Sequence, residues 1–172
     1  MANYDLTTAA TSGVSTTTLN DAFPSARRPL YVIQKIVDIN KLITDGVVNS
    51  AFATGDTLQI MDVPAKTVIV GAGAEVLTAF TTGTVLNIGL DADTNDDNIV
   101  DGQSATAVGF LAAGTNGTLT AGSANYRVAT ADTVKVTMTA AAVAAGKLSV
   151  YLVAADISDF SLADEVDRDQ LA

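Results

Sequence analysis

An all-β fold, an antiparallel β-sandwich of jelly-roll type with about eight strands, is predicted by three features of this sequence. Apolar residues recur at period two along most of the chain. Turns rich in Gly, Asn and Asp divide it at roughly 8–14 residue intervals. The apolar content, 48% of residues, is almost entirely Ala, Val, Leu and Ile; aromatics make up 5% and Trp is absent. Small and branched side chains suit a thin core between two sheets. At 172 residues the chain is long enough for one domain and one core without a staple.

Residues 1–28 differ from the rest. TTAATSGVSTTT (7–18) has no long apolar residue except Val14, so it offers little surface to bury against the entropy cost of ordering. We expect a flexible N-terminal arm, which is either an unstructured terminus or a segment that orders on a neighbouring subunit. In the second case Tyr4 and Phe23 would be its docking residues, and Arg27 and Arg28 its anchors.

From Leu30 the texture is strand, turn, strand. LYVIQKIVDI (30–39) is β-branched and apolar, and VVNSAFATGD (47–56) runs into the turn Thr54-Gly55-Asp56. TLQIMDVPA (57–65) puts Leu58 and Ile60 on one face and breaks at Pro64. In KTVIVGAGAEVLTAF (66–80), Gly71 and Gly73 predict a bulge or a close backbone contact. TVLNIGL (84–90) follows the turn Thr81-Thr82-Gly83, and SATAVGFLAAG (104–114) leads into Gly114-Thr115-Asn116-Gly117. TVKVTMT (133–139) alternates with Val134, Val136 and Met138 inward. KLSVYLVA (147–154) does the same with Leu148, Val150, Leu152 and Ala154. AAAVAAG (140–146) fits a helical turn or a strand-to-strand corner. The body is expected over 29–158, followed by an acidic tail or short helix over 159–172. Phe80, Phe110 and Tyr151 are expected in the core or in subunit contacts.

Composition narrows function. With no Cys and no His, the chain lacks disulfides, thiolate nucleophiles, imidazole bases and the usual zinc ligands. It carries no GxSxG, P-loop or Gly-rich turn opening a helix. No enzyme activity is expected. A net charge of −10 opposes nucleic-acid binding, and no apolar run approaches a membrane span.

The stretch GLDADTNDDNIVDG (89–102) holds five Asp and two Asn. Asp91, Asp93, Asn95 and Asp97 alternate as calcium ligands do, with Asp101 further on. The EF-hand pattern then fails: Asp96 stands where the bend needs Gly, and Gly102 where a bidentate Glu belongs. A non-helical structural Ca2+ loop and a plain solvated turn both remain open; apart from that ion no cofactor is expected.

The residues Val63-Pro64-Ala65-Lys66-Thr67-Val68, Leu86-Asn87-Ile88-Gly89, Val100-Asp101-Gly102 and Ala131-Asp132-Thr133-Val134 resemble four motifs of small structural proteins of tailed bacteriophages. Those motifs read "lpAgtlV", "ldiGd", "fvdg" and "aaDtidlt". The resemblance covers about two thirds of the chain, 56–102 and 129–158. It implies a capsid decoration (cement) protein: a β-sandwich on the outer capsid surface, often trimeric, that ties neighbouring capsomers together. The partners implied are further copies of this chain and the major capsid protein. No catalytic residues carry over. The residues suit the role in their own right. An extended arm of 28 residues reaches up to ~90 Å, and many modest contacts on a lattice add through effective concentration. Two other readings fit the same residues: a tail, neck or fibre module, and a calcium-dependent adhesive or carbohydrate-binding sandwich.

Overall fold

The computed structural model describes the backbone pairing of residues 3–5 and 14–19 and, in full, residues 30–48, 50–92, 97–111, 126–139 and 142–156. The chain forms two sheets. Strands β1 (Asn3–Asp5), β4 (Thr57–Val63), β10 (Asp132–Met138), β6 (Val85–Leu90) and β7 (Val100–Ser104) make the first, in that order. The second runs β2 (Val14–Leu19), β3 (Tyr31–Asp38), β11 (Lys147–Asp156), β5 (Thr67–Thr78) and β8 (Gly109–Leu111), with β9 (Tyr126–Val128) also on β5. All pairings are antiparallel except that of β1 with β4. One short helix, α1 (Ile39–Thr44), follows β3.

The alternation read from the sequence sets the core. In β10, Val134, Val136 and Met138 are buried, and in β11 Leu148, Val150, Leu152 and Ala154 are. All but Ala154 join Leu58, Ile60, Leu86 and Ile88 of the first sheet and Val37, Ile69 and Val76 of the second in one continuous cluster, so the sheets face each other. Each large aliphatic side chain buried there contributes roughly 1.5–3 kcal/mol.

Two irregularities in the burial pattern have one cause. Ile60 and Met61 are consecutive and both buried. The ladder shifts there: Val134 faces Met61 and Lys135 faces Gln59, leaving Ile60 as the extra residue of a bulge. In β5 the register shifts between Val153 and Ala154, where Val153 faces Gly71 and Ala154 faces Ile69, leaving Val70 unpaired. Gly73, directly opposite Tyr151, has the phenol ring lying across the space a Cβ would fill. The Gly71–Gly73 segment thus holds both a bulge beside it and a close contact.

One end of the sandwich is closed by residues less regular than the strands. Asp38 caps α1 by accepting from the Lys41 N–H at 3.1 Å. The helix tucks Ile39 and Leu42 into the core. Phe52 and Val143 exchange backbone bonds of 2.9 and 2.8 Å, and both are fully buried. The stretch 142–146 is therefore a corner rather than a helical turn. Gly146, at φ +138°, lies beneath the Phe80 ring.

Within the leader, expected as a free arm, Asn3–Asp5 and Val14–Leu19 instead add strands to the two sheets, β1 along β4 and β2 along β3. The run VSTTTL is rich in β-branched residues, which favour strand pairing wherever an edge is open. Strands of the body span Tyr31 to Asp156. The tail over 159–172 and the turn 114–117 lie outside the described residues.

Replacing Gly146 by Ala drives a methyl group into the Phe80 ring and adds backbone strain, whereas Gly46, at φ +74°, has open space around it. Gly46→Ala should cost about 1 kcal/mol and Gly146→Ala about 2–4 kcal/mol, measured as the difference in urea-unfolding free energy.

Candidate functional site

The acidic turn between β6 and β7 is assembled from the strand ends outward. Strand β6 ends at Leu90, whose N–H donates to the Asn98 side-chain oxygen at 3.0 Å; Asn98 is 2% exposed. A buried amide acceptor thus returns the chain to the sheet, and its loss would leave a buried N–H unpaired at about 1–3 kcal/mol. Ile99 donates its N–H to the Ile88 carbonyl at 2.9 Å, so pairing resumes at once.

Gly102 sits at φ +55° in a bulge. Leu86 faces Gln103 and Ile88 faces Val100, so Asp101 and Gly102 together oppose Asn87. The Asn87 side-chain oxygen accepts the Gly102 N–H at 2.8 Å. A left-handed residue is needed at that point, which accounts for the glycine in Val100-Asp101-Gly102.

Two carboxylates at this end of the sheet, Asp91 and Asp132, are engaged in structure. Asp91 Oδ1 lies 2.6 Å from Lys135 Nζ, an ammonium only 13% exposed on the neighbouring strand β10. The Asp91 N–H donates to the Thr133 carbonyl at 2.9 Å. Asp132 Oδ1 accepts from the N–H groups of Thr133 at 2.7 Å and Ala92 at 3.3 Å. Of the five residues proposed as cation ligands, Asp91, Asp97 and Asp101 are described, and Asp93 and Asn95 lie outside the described residues. Among the described residues no group of three or more His, Cys, Asp and Glu is drawn together as a metal site.

The four proposed anchors of the leader stand differently. Tyr4 falls in β1, where its backbone pairs beside Leu58. Phe23, Arg27 and Arg28 lie outside the described residues. The other aromatics separate by environment: Phe80 is core, Tyr151 is half-buried on the outer side of the second sheet, and Phe110 is 75% exposed.

Two features were not foreseen. Lys35, in the middle of β3, faces the inside and is 3% exposed. It pairs with Val150, a core residue, and burial pushes its ammonium below the usual lysine range, an effect partly offset by the Asp62 carboxylate. The only sequence signal is position: in YVIQKIVD the inward residues are Ile33, Lys35 and Val37. The second is an imbalance of faces. The outer side of the first sheet presents Thr57, Gln59, Thr137, Asn87 and Gln103, whereas the outer side of the second presents Val32, Ile36, Leu77, Phe110, Tyr151 and Val153.

No family model and no curated protein sequence matches the chain. Among solved structures, it is similar to a chain of the "acidic stable capsid structure of Helicobacter pylori bacteriophage KHP30", at 9% identity, over 81% of this chain and 91% of that one, with a TM-score of 0.47. It is also similar to a chain of the "capsid of Ralstonia phage GP4", at 14% identity, over 78% and 88%, with a TM-score of 0.48. Likenesses this distant assign neither family nor function.

Because Lys135 already compensates Asp91, millimolar calcium or a chelator should leave the melting temperature unchanged. A calcium-dependent rise would instead show that Asp93 and Asn95 complete a site with Asp97 and Asp101. For Lys35 the sign follows from its lowered folded-state value. Between that value and the ordinary 10.5 of the unfolded chain, the unfolded state binds more protons, so this group's contribution to stability rises with pH. Lys35→Met should stabilise the protein at pH 7 by about 1 kcal/mol or less and flatten that alkaline rise, as read from denaturant midpoints across pH.

Proposed function

We propose that this chain is a bacteriophage virion structural protein, a capsid decoration (cement) protein that bridges neighbouring capsomers on the outer head surface as a homo-oligomer, most simply a trimer. The observation that carries the reading is the convergence of the four motif segments. Strand β10, which holds Asp132-Thr133-Val134, pairs on one side with β4, ending at Val63, and on the other with β6, holding Leu86 to Gly89; β6 in turn pairs with β7, holding Val100 to Gly102. Segments about seventy residues apart thus form one contiguous block. Their unusual residues occupy positions with backbone reasons. Gly102 takes a left-handed bulge, and Lys66, where the phage motif has Gly, takes φ +65°. Asp132 receives two backbone N–H groups. The resemblance therefore follows the architecture and not a chance composition.

Strand order supports the finer fold assignment. Leaving aside the leader strands and the short β9, which pairs on β5, the sheets read 4-10-6-7 and 3-11-5-8, and the connections from β3 to β4, β4 to β5 and β5 to β6 each cross between them. Eight strands in two such interleaved sets are a jelly roll of two Greek keys, an architecture used in viral capsids. The role asks for a rigid body, surfaces for neighbours and no reaction, and the reading assigns none. A charge of −10 suits the outside of a head better than an interior filled with nucleic acid.

The test is binding to heads that lack decoration. Purified protein mixed with such heads should co-sediment to a saturating stoichiometry, appear at regular external positions by electron microscopy and raise the temperature at which the heads rupture. Absence from heads together with labelling of tails or fibres would overturn the reading in favour of another virion part.

A further inference from the structure

The outer face of the second sheet is too apolar to stand alone in a strongly acidic chain. Register places Val32, Gln34 and Ile36 of β3 beside Val153, Tyr151 and Ser149 of β11 on that side, since their neighbours Ile33, Lys35 and Val37 pair with the inward Leu152, Val150 and Leu148. Across β5 the same face continues to Leu77 and, on edge strand β8, to Phe110. Near that corner exposure is greatest: Phe110 is 75% exposed, Val108 67% and Leu77 36%. Two polar pairs on this face are matched within it. Gln34 Nε2 donates to Ser149 Oγ at 2.7 Å. Lys147 Nζ stands 3.9 Å from Asp38.

We infer that this face is where copies of the chain meet, centred on the Leu77–Val108–Phe110 corner; the inference deepens the oligomeric reading above and rests on it. Charge selects a second copy as the occupant. Among the described residues the outward charges on the strands of this face are Asp38, Glu75, Arg127 and Lys147, two of each sign, in a chain of net charge −10. Two such acidic molecules repel along most approaches, and this neutral face lets them come close. The charges are also self-complementary. Glu75 sits opposite Phe110 near one end of β5, and Arg127 sits opposite Val68 near the other. In a closed ring, Glu75 of one copy reaches Arg127 of the next, and the apolar corner of the one packs against the Val68–Val70 end of β5 in the other.

Size agrees. Four strands from β3 to β8 at ~4.8 Å spacing, and ~3.3 Å per residue along the ten residues of β11, give a face of about 600 Å². That is the lower end of the roughly 600–1,000 Å² per partner of stable interfaces. The first sheet's outer side, lined by Thr, Gln and Asn, offers no comparable apolar surface among the described residues.

Sedimentation equilibrium of the full chain at tens of micromolar tests this. Wild-type protein should be an oligomer. Leu77→Asp with Phe110→Asp should weaken association roughly thirtyfold or more with unchanged far-ultraviolet dichroism, while Gln59→Asp on the other sheet leaves the mass unaltered. Glu75→Arg and Arg127→Glu should each weaken the oligomer, and together restore it. A monomeric wild type, or an oligomer indifferent to the Leu77/Phe110 change, would overturn the inference. If that variant stays oligomeric but no longer binds heads, the face contacts the shell and not another copy, which overturns the inference and leaves the decoration role standing. If wild type associates through this face yet never binds heads, the interface stands and the decoration role falls.

Discussion

The two strands that arrive last in the body, β10 and β11, are the ones in the middle. Strand β10 joins β4 to β6, and β11 joins β3 to β5, so each sheet is held together through a segment near the end of the chain. Neither sheet can bury its inner face until residues 132–156 are in place. The architecture is therefore non-local, and its folding must close long loops before the core offsets their entropy. The same constraint explains why these two strands show the cleanest alternation. A central strand is fixed on both sides, so one slip in register would turn its whole apolar set outward.

The central strands were legible in the sequence for that reason, as were their neighbours β3, β4, β5 and β6, whereas the short strands β7 and β9 were not. Val134, Val136 and Met138, and Leu148 to Ala154, fall inward as their spacing implies. The turn at Thr54-Gly55-Asp56 is present, with Gly55 at φ +88°. The closing end of the sandwich was harder. Helix α1 has six residues, too few for a periodic signal, and its cue is local: Asp38 as cap and the Lys41–Asp45 pair at 2.9 Å. Phe52 lies in a segment that read as a strand but makes only an isolated bridge with Val143. Bulges at Ile60 and Val70 break the period by one residue, which composition does not announce except through the glycines that follow Val70.

The acidic turn shows how far residue type under-determines chemistry. The same aspartates that space themselves like cation ligands also serve a tight return between two strands. Asp91 is held by Lys135, whose place on β10 is visible only once β10 is known to lie beside β6. Asn98, which the acidic run conceals, does the structural work by accepting from Leu90 inside the fold. Its signal in the sequence is weak, because Asn in a turn is ordinary and its burial is a property of the assembled sheet.

The difference between the two outer faces ties the fold to its use. A sandwich must bury both inner faces, which fixes alternate residues along every strand, and it leaves the outer residues free to vary. Here they are mostly Thr, Gln, Asn and charged residues on one sheet, while the other mixes Val, Ile, Leu and Phe with a few polar residues and balanced charges. A protein under pressure only to stay soluble would keep both sides polar, since an apolar exterior invites association. The leader strands touch both sheets, at the edges formed by β4 and β3, and leave the opposite edges at β7 and β8 without them. Phe110 and Val108 lie at this second edge, so among the described residues the most exposed apolar side chains fall on the edge of the second sheet that the leader does not extend. A body built this way presents a more polar side, a more apolar side and two edges that the leader leaves unextended. These are the directional surfaces that a repeating assembly needs and that an isolated monomer does not.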